Sequence, residues 1–287
     1  VLLACNHPNS FLDSVILDTL FEQPVWSLAR GDVFKNPVVI RMLTALKILP
    51  VYRTSEGVEN LSENYKTFEA CTTIFRNNGI ITIFSEGKCI NEWHLRPLKK
   101  GTARLAIKAW EENIPLQVIS VGINYSSFRR FGKNIFLNFG SPIIKENINF
   151  TEADGMRHQS FNNQLQKQLE QLVFEIPKQD KQKQRELLEI KPSVQKKIVL
   201  AIPAAVGYLI HLPLYLPVKK FTWKKNNHND HYDSVLIGIL LFGYILYLIV
   251  LVAIVWIITG GWWAIFLLIL LPFTAWAYTQ LKPQLDK

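Results

Sequence analysis

Cysteine is scarce in this chain and does not pair: Cys5, Cys71 and Cys89 are odd in number and widely separated. That spacing fits neither a disulfide-stapled fold nor a zinc or redox motif, and it points to a reducing compartment for the soluble part. Metal-ligand spacing is missing too, because His228, Asp230 and His231 have no further ligand close by. There is no Gly-x-Ser-x-Gly elbow and no internal repeat. The chain opens on Val1, inside an apolar run, with neither an initiator Met nor a signal pattern. We therefore expect the natural N-terminus to lie upstream. Acidic charge is in deficit, with 23 Asp and Glu against 32 Lys and Arg and a net charge of +9. Such an excess calls for an anionic partner. The basic residues cluster beside apolar segments instead of interleaving with aromatics on strands. An anionic lipid bilayer is therefore expected as a partner, and nucleic acid is not.

What is present falls into three compositional stretches. Residues 1–176 have the look of a soluble domain, 177–197 are a basic polar linker, and 198–287 are membrane-associated. In the first stretch, short β-branched or apolar runs alternate with helical patterns. Strands are expected at 1–5, 25–29, 48–52, 80–84, 116–122 and 134–139, and helices at 11–20, 38–46, 58–75, 102–112 and 151–175. Ile80–Phe84 is continuous and β-branched, as a strand buried on both faces should be. The fold class that follows is α/β, with a mixed, largely parallel central sheet flanked by helices and then a C-terminal membrane helical hairpin.

That hairpin is expected over 235–258 and 262–281, turning at Gly260-Gly261, with tryptophans toward its ends. Residues 198–218 are apolar but carry Pro203, Pro213 and Pro217. Lys219, Lys220, Lys224 and Lys225 follow them, and the linker before them is also basic. Positive-inside bias disfavours putting these two basic stretches on opposite faces. We therefore expect 198–218 to be re-entrant or interfacial, with a true span as the alternative. The first stretch is then expected on the cytoplasmic side of a membrane.

The chemistry is concentrated at Asn6-His7-Pro8-Asn9-Ser10-Phe11-Leu12-Asp13. A strand ends there, a corner follows, and Asp13 falls one helical turn on, so its carboxylate can hold one nitrogen of His7. The other nitrogen then accepts a proton from a hydroxyl, as in the base half of a Ser-His-Asp relay. Ser10 suits a helix cap better than a nucleophile. Arg53 ends a basic turn, and Phe84-Ser85-Glu86-Gly87-Lys88 follows the buried strand.

In order and spacing, these blocks and Ile114–Gly122 resemble the glycerolipid acyltransferase superfamily, the glycerol-3-phosphate and 1-acylglycerol-3-phosphate O-acyltransferases. The resemblance covers residues 1 to about 145. Five residues separate His7 from Asp13, where the family commonly has four. Ser85 stands for the usual Pro, and Lys88-Cys89 for the usual Thr-Arg. The resemblance implies transfer of a fatty acyl group from acyl-CoA or acyl carrier protein, as co-substrate, to a glycerolipid hydroxyl, with no cofactor and no metal. His7 and Asp13 are its catalytic pair, and Arg53, Glu86, Gly87 and Lys88 bind substrate. Arg96, Lys99 and Lys100 are candidate contacts to phosphate or CoA. The expected acceptor is glycerol-3-phosphate, with lysophosphatidate as the alternative; a lipid hydrolase or a non-catalytic lipid-binding membrane protein are more distant readings.

Overall fold

The computed structural model describes residues 1–52 and 63–286. The chain divides into two compact units, Val1–Asn124 with Phe136–Pro177, and Tyr125–Ile135 with Lys178–Lys287.

The first unit is built on a six-stranded sheet. Its strands are β1 (Leu2–Cys5), β2 (Val25–Arg30), β3 (Ile48–Val51), β4 (Ile80–Phe84), β5 (Val118–Tyr125) and β6 (Ile135–Phe139), in the order β3-β2-β4-β1-β5-β6. β1 pairs in parallel with β4 and β5, and β2 in parallel with β3 and β4. The alternating pattern read from the sequence thus gives the expected largely parallel sheet. Between the strands lie α1 (Phe11–Asp18), α2 (Pro37–Ala45), α3 (Glu63–Arg76) and α4 (Gly101–Glu111), and α5 (Asp154–Leu172) follows β6.

Local chemistry sets the helix ends. Pro37 occupies the first turn of α2, and the Asn36 side chain accepts the Val38 amide at 2.8 Å. After α3 the chain reverses at Asn78, φ 57°, and at Gly79 a Cβ would lie 2.4 Å from Ile74. On α5, Phe161, Leu165 and Leu169 recur every four residues and are fully buried. Each such side chain contributes about 1.5–3 kcal/mol of burial free energy. Trp110 of α4 is completely buried, and its indole N–H donates to Leu116 O at 2.9 Å.

β1 lies inside the sheet, with all four of its residues buried. Its C-terminal end is therefore flanked by strand ends on both sides, the place where open parallel sheets carry their sites.

The second unit holds α6 (Lys181–Leu188), α7 (Val194–Asn226), α8 (Tyr232–Thr259) and α9 (Leu267–Leu281), with a short 3₁₀ turn at Trp262–Phe266. Two features depart from the expected division of the chain. Part of the 177–197 linker folds as α6, capped by Asp180, whose carboxylate accepts the Lys183 amide, and Leu188 is fully buried. The loop Tyr125–Ile135, expected in the soluble domain, belongs instead with the helical unit. Ser126 Oγ donates to Gln284 O, Ser127 Oγ donates to Asp286 at 2.7 Å, and Lys133 pairs with buried Asp233.

Three helical stretches, Val194–Asn226, Tyr232–Thr259 and Trp262–Leu281, are long and apolar enough to cross a membrane. The last two form the expected hairpin, and Gly260 closes α8 in the left-handed conformation. The stretch around 198–218 is part of the single helix α7, continuous through Pro203, Pro213 and Pro217. A proline removes a donor from the helix ladder and crowds the preceding turn. Near Pro213 the Tyr247 hydroxyl donates to Ile210 O at 2.6 Å, tying α8 to this part of α7.

Candidate active site

The register of β1 on β4 places Cys5 beside Phe84. Continuing it by two residues sets His7 beside Glu86, which is why the His7 amide meets a carboxylate 79 positions on in the chain. Beyond Cys5 the two strand ends part from the ladder and are held by side chains instead.

His7 Nδ1 lies 2.8 Å from Asp13 Oδ2. Asp13 is fully buried in the first turn of α1, and the same oxygen accepts the Asn9 amide at 2.8 Å. An ionised carboxylate only accepts, so the proton of a neutral His7 sits on Nδ1 and the Nε2 lone pair is open to receive another. The imidazole stacks on the Phe84 ring, with centroids 3.9 Å apart and planes inclined by 14°. Its side chain retains 17% exposure. Ring plane and tautomer are thus both fixed, and one nitrogen stays reachable. The sharp corner that allows this is carried by Ser10, whose φ is 54°. Ser10 makes no side-chain cap bond to α1, so the expected capping role is not seen; its backbone amide donates to Cys89 Sγ instead.

Glu86 is 5% exposed. Oε2 accepts the His7 amide at 2.9 Å and Oε1 accepts the Arg96 amide at 2.9 Å. Burial pushes its carboxyl above the usual range, while the two amides and the charges of His7 and Arg96 pull it back. In this structure the carboxylate ties the His7 corner to the 86–96 loop. Gly87 turns that loop with φ 68°, and a Cβ there would stand 3.0 Å from Lys99 Cγ. The Gly87 amide is engaged by Phe84 O at 3.0 Å.

The remaining expected residues divide as follows. Arg96 pairs with Glu92 at 2.8 Å through Nη1. Lys88, Lys99 and Lys100 are exposed on the same 86–100 segment as Glu86. That segment is pinned by Glu175, whose Oε1 accepts the Leu95 amide at 2.7 Å and whose Oε2 meets His94 Nδ1 at 2.7 Å. Arg53 lies outside the described residues.

Sequence reasoning assigned no role to Asn6, which the structure makes central. Fully engaged and 3% exposed, it bridges the ends of β1 and β5. Its Nδ2 donates to Ile123 O at 3.0 Å, and its Oδ1 accepts the Ile123 amide at 2.7 Å. The available signal was an amide side chain directly after a wholly apolar strand. Asn91 acts similarly, donating to Pro8 O at 2.7 Å. Burial and Asp13 raise the Cys5 thiol, and burial alone takes Cys71 up to about 12, so both are inert packing groups.

A histidine so oriented, at the end of an interior parallel strand, can take a proton from a substrate hydroxyl. No curated protein matches the chain at a significant level. The model of the family described as Acyltransferase matches residues 1–124, so this stretch of the chain is similar to that family.

Proposed function

We propose that this protein moves a fatty acyl group from an acyl thioester, acyl-CoA or acyl carrier protein, to a hydroxyl of glycerol-3-phosphate, with lysophosphatidate as the alternative acceptor. The observation that carries this reading is the His7–Asp13 pair, 2.8 Å apart, with Asp13 buried and His7 partly open. In the reaction, His7 Nε2 takes the acceptor proton as its oxygen attacks the thioester carbonyl, and Asp13 stabilises the resulting imidazolium. A base so placed is worth about 10²–10⁴-fold in rate. The thiolate then leaves and recovers the proton from His7, so no cofactor is consumed.

Arg53, by the family resemblance, grips the acceptor phosphate, because a guanidinium holds two phosphate oxygens at once. Exposed Lys88, Lys99 and Lys100 supply further positive charge on the Glu86 segment. The lean toward glycerol-3-phosphate comes from the five-residue His7–Asp13 interval and these extra cations. The test is an acceptor panel with a labelled acyl thioester, run on wild type, His7→Ala and Arg53→Ala. Transfer to glycerol-3-phosphate that is lost in His7→Ala supports the reading. A preference for lysophosphatidate selects the alternative, and no transfer to any glycerol phosphate removes both.

The chain is membrane-associated, and our reading places its catalytic domain on the cytoplasmic side, against anionic lipid. We read α7 as lying along that face, with the α8–α9 hairpin crossing. Thirty-three residues make α7 about 50 Å long. One polar loop, Tyr125–Ile135, is closed on itself by the Ser126 amide donating to Asn134 O at 3.0 Å. It meets both ends of α7: Arg129 lies 5.1 Å over Trp223, while Gly132, Lys133 and Asn134 share a small cavity with Ile190, Pro192 and Lys196. A loop bearing two arginines belongs outside the hydrocarbon, so both ends of α7 belong on its side. Cysteines introduced at Lys191 and Asn227 should react with an impermeant maleimide from the same face; opposite faces would make α7 a span.

A further inference from the structure

The loop Tyr125–Ile135 and the helix ends around it gather charge that the acyl-transfer chemistry does not use. Four cations, Arg130, Lys133, Lys219 and Lys282, share this region with two carboxylates, Asp233 and Asp286. Both carboxylates are taken. Asp233 is completely buried against Lys133. Asp286 accepts from Ser127 at 2.7 Å and stands 3.6 Å from Arg130 Nε.

Lys219 and Lys282 are different. Among the described residues neither ammonium group has a hydrogen-bond or ion-pair partner. Each stands over an aromatic face instead, Lys219 at 5.9 Å from the Tyr215 ring and Lys282 at 5.8 Å from the Phe131 ring. Those two rings are neighbours, with centroids 6.4 Å apart. The two lysines thus stand over neighbouring rings, and both Lys219 and Arg130 act electrostatically on Lys282.

The surroundings are ordered in advance. Ser127 Oγ accepts the amides of Arg129 and Arg130 at 3.0 and 2.9 Å, fixing the turn that carries them. Gly132, φ 61°, lets the backbone approach so closely that a Cβ would meet Lys282 Cε at 3.3 Å. Burial, then Arg130, Lys133 and Lys219, bring Lys282 down to about 8, with Asp233 opposing. Lys282 thus carries its charge at a cost, among cations that an anion would offset.

We propose that Lys219 and Lys282, flanked by Arg130, form a binding site for a phosphate-type anion. An anionic phospholipid headgroup is the natural source, since Lys282 directly follows the apolar helix α9. Ammonium groups suit this ligand because they bind phosphate as mobile point charges and need no fixed fork. The alternative explanation is a lysine placed at a helix C-terminus for its dipole alone. The two differ in sign: a lysine that serves the dipole stabilises the empty protein, whereas one awaiting an anion destabilises it.

The test uses the full chain, delipidated in a neutral detergent. Dioleoyl phosphatidic acid, dioleoyl phosphatidylcholine and inorganic phosphate are titrated separately, with bound lipid counted by native mass spectrometry and phosphate followed by the thermal midpoint. Wild type is expected to retain one phosphatidic acid, and the Lys219→Gln/Lys282→Gln protein to bind it roughly 30-fold more weakly. The Lys219→Arg/Lys282→Arg protein should restore binding, and Lys224→Gln/Lys225→Gln, which removes equal charge, should leave it unchanged. Single Lys282→Gln should raise the midpoint of the lipid-free protein. Phosphate binding that is lost in the double glutamine variant assigns the site to a soluble anion; binding of phosphatidic acid alone assigns it to a headgroup. Equal phosphatidic acid affinity in wild type and the glutamine variants overturns the proposal, as does equal affinity for phosphatidylcholine or a lower midpoint in Lys282→Gln. The proposal does not rest on acyl transfer, and His7→Ala should bind the lipid as wild type does.

Discussion

Replacing Glu86 with glutamine separates two roles for a buried carboxylate of the site. Its two oxygens accept two different backbone amides, from His7 and Arg96, each at 2.9 Å. Glutamine keeps one acceptor oxygen and turns the other into an NH₂ donor facing an N–H. One amide therefore loses its partner in a buried setting, and the surviving bond loses its ionic assistance. An unsatisfied buried group costs about 1–3 kcal/mol and a charge-assisted bond is worth about 1.5–3, so roughly 2–4 kcal/mol should be lost. For a domain of this size that lowers the thermal midpoint by roughly 5–12 °C. The displaced amide is that of His7 itself, so the imidazole shifts as well, and misplacement by about 1 Å costs on the order of 10²-fold in rate. The expected result for Glu86→Gln is a lower midpoint and a kcat reduced by about 10–100-fold, with the acceptor KM within about twofold of wild type. Differential scanning fluorimetry and acceptor-saturation kinetics on one preparation read all three. An unchanged midpoint and kcat with an acceptor KM raised about tenfold would refute this reasoning and make Glu86 a substrate ligand, as the family resemblance implies.

Further expectations concern the pair and its supports. His7→Ala and Asp13→Asn should each lower acyl transfer by about 10²–10⁴-fold, and Asp13→Asn, which still offers the ring an oxygen, should move the pH dependence of kcat. Asn6→Leu keeps the branched shape but strands both polar groups of Ile123, so the sheet-containing unit should lose about 2–4 kcal/mol in denaturant titrations. Gly87→Ala should cost about 1–2 kcal/mol by the same measurement, chiefly for a φ of 68°, since the neighbouring Lys99 side chain has room to adjust. Lys282, brought from 10.5 to about 8, binds its proton less tightly folded than unfolded. Its contribution to stability is therefore full above pH 10.5 and is lost as pH falls through about 8. The midpoint of the lipid-free protein should rise over that window, and Lys282→Gln should abolish the slope.

Several parts of this protein could be read from the chain because the information is local. A β-branched run bounded by turn residues can bury itself only as an interior strand, and β4 forms where expected, Ile80–Phe84. Proline at the first position and asparagine before it start α2, and two long uncharged runs joined by Gly260-Gly261 give the apolar hairpin. The His7–Asp13 contact was also legible, since both residues flank a single strand-to-helix corner. Tertiary structure decided whatever depends on partners distant in sequence. Glu86 meets the His7 amide only because β1 and β4 lie side by side in one register, and Asn6 finds Ile123 only because β5 flanks β1 on the other side. The loop Tyr125–Ile135 reads as an ordinary polar connection until Asp233, Gln284 and Asp286 supply its partners. Three prolines and flanking basic residues suggested a re-entrant or interfacial element at 198–218, whereas the fold runs one helix, α7, through all three prolines. Propensity and pattern act over a few residues, but a hydrogen bond across the fold depends on geometry that no window of the sequence contains.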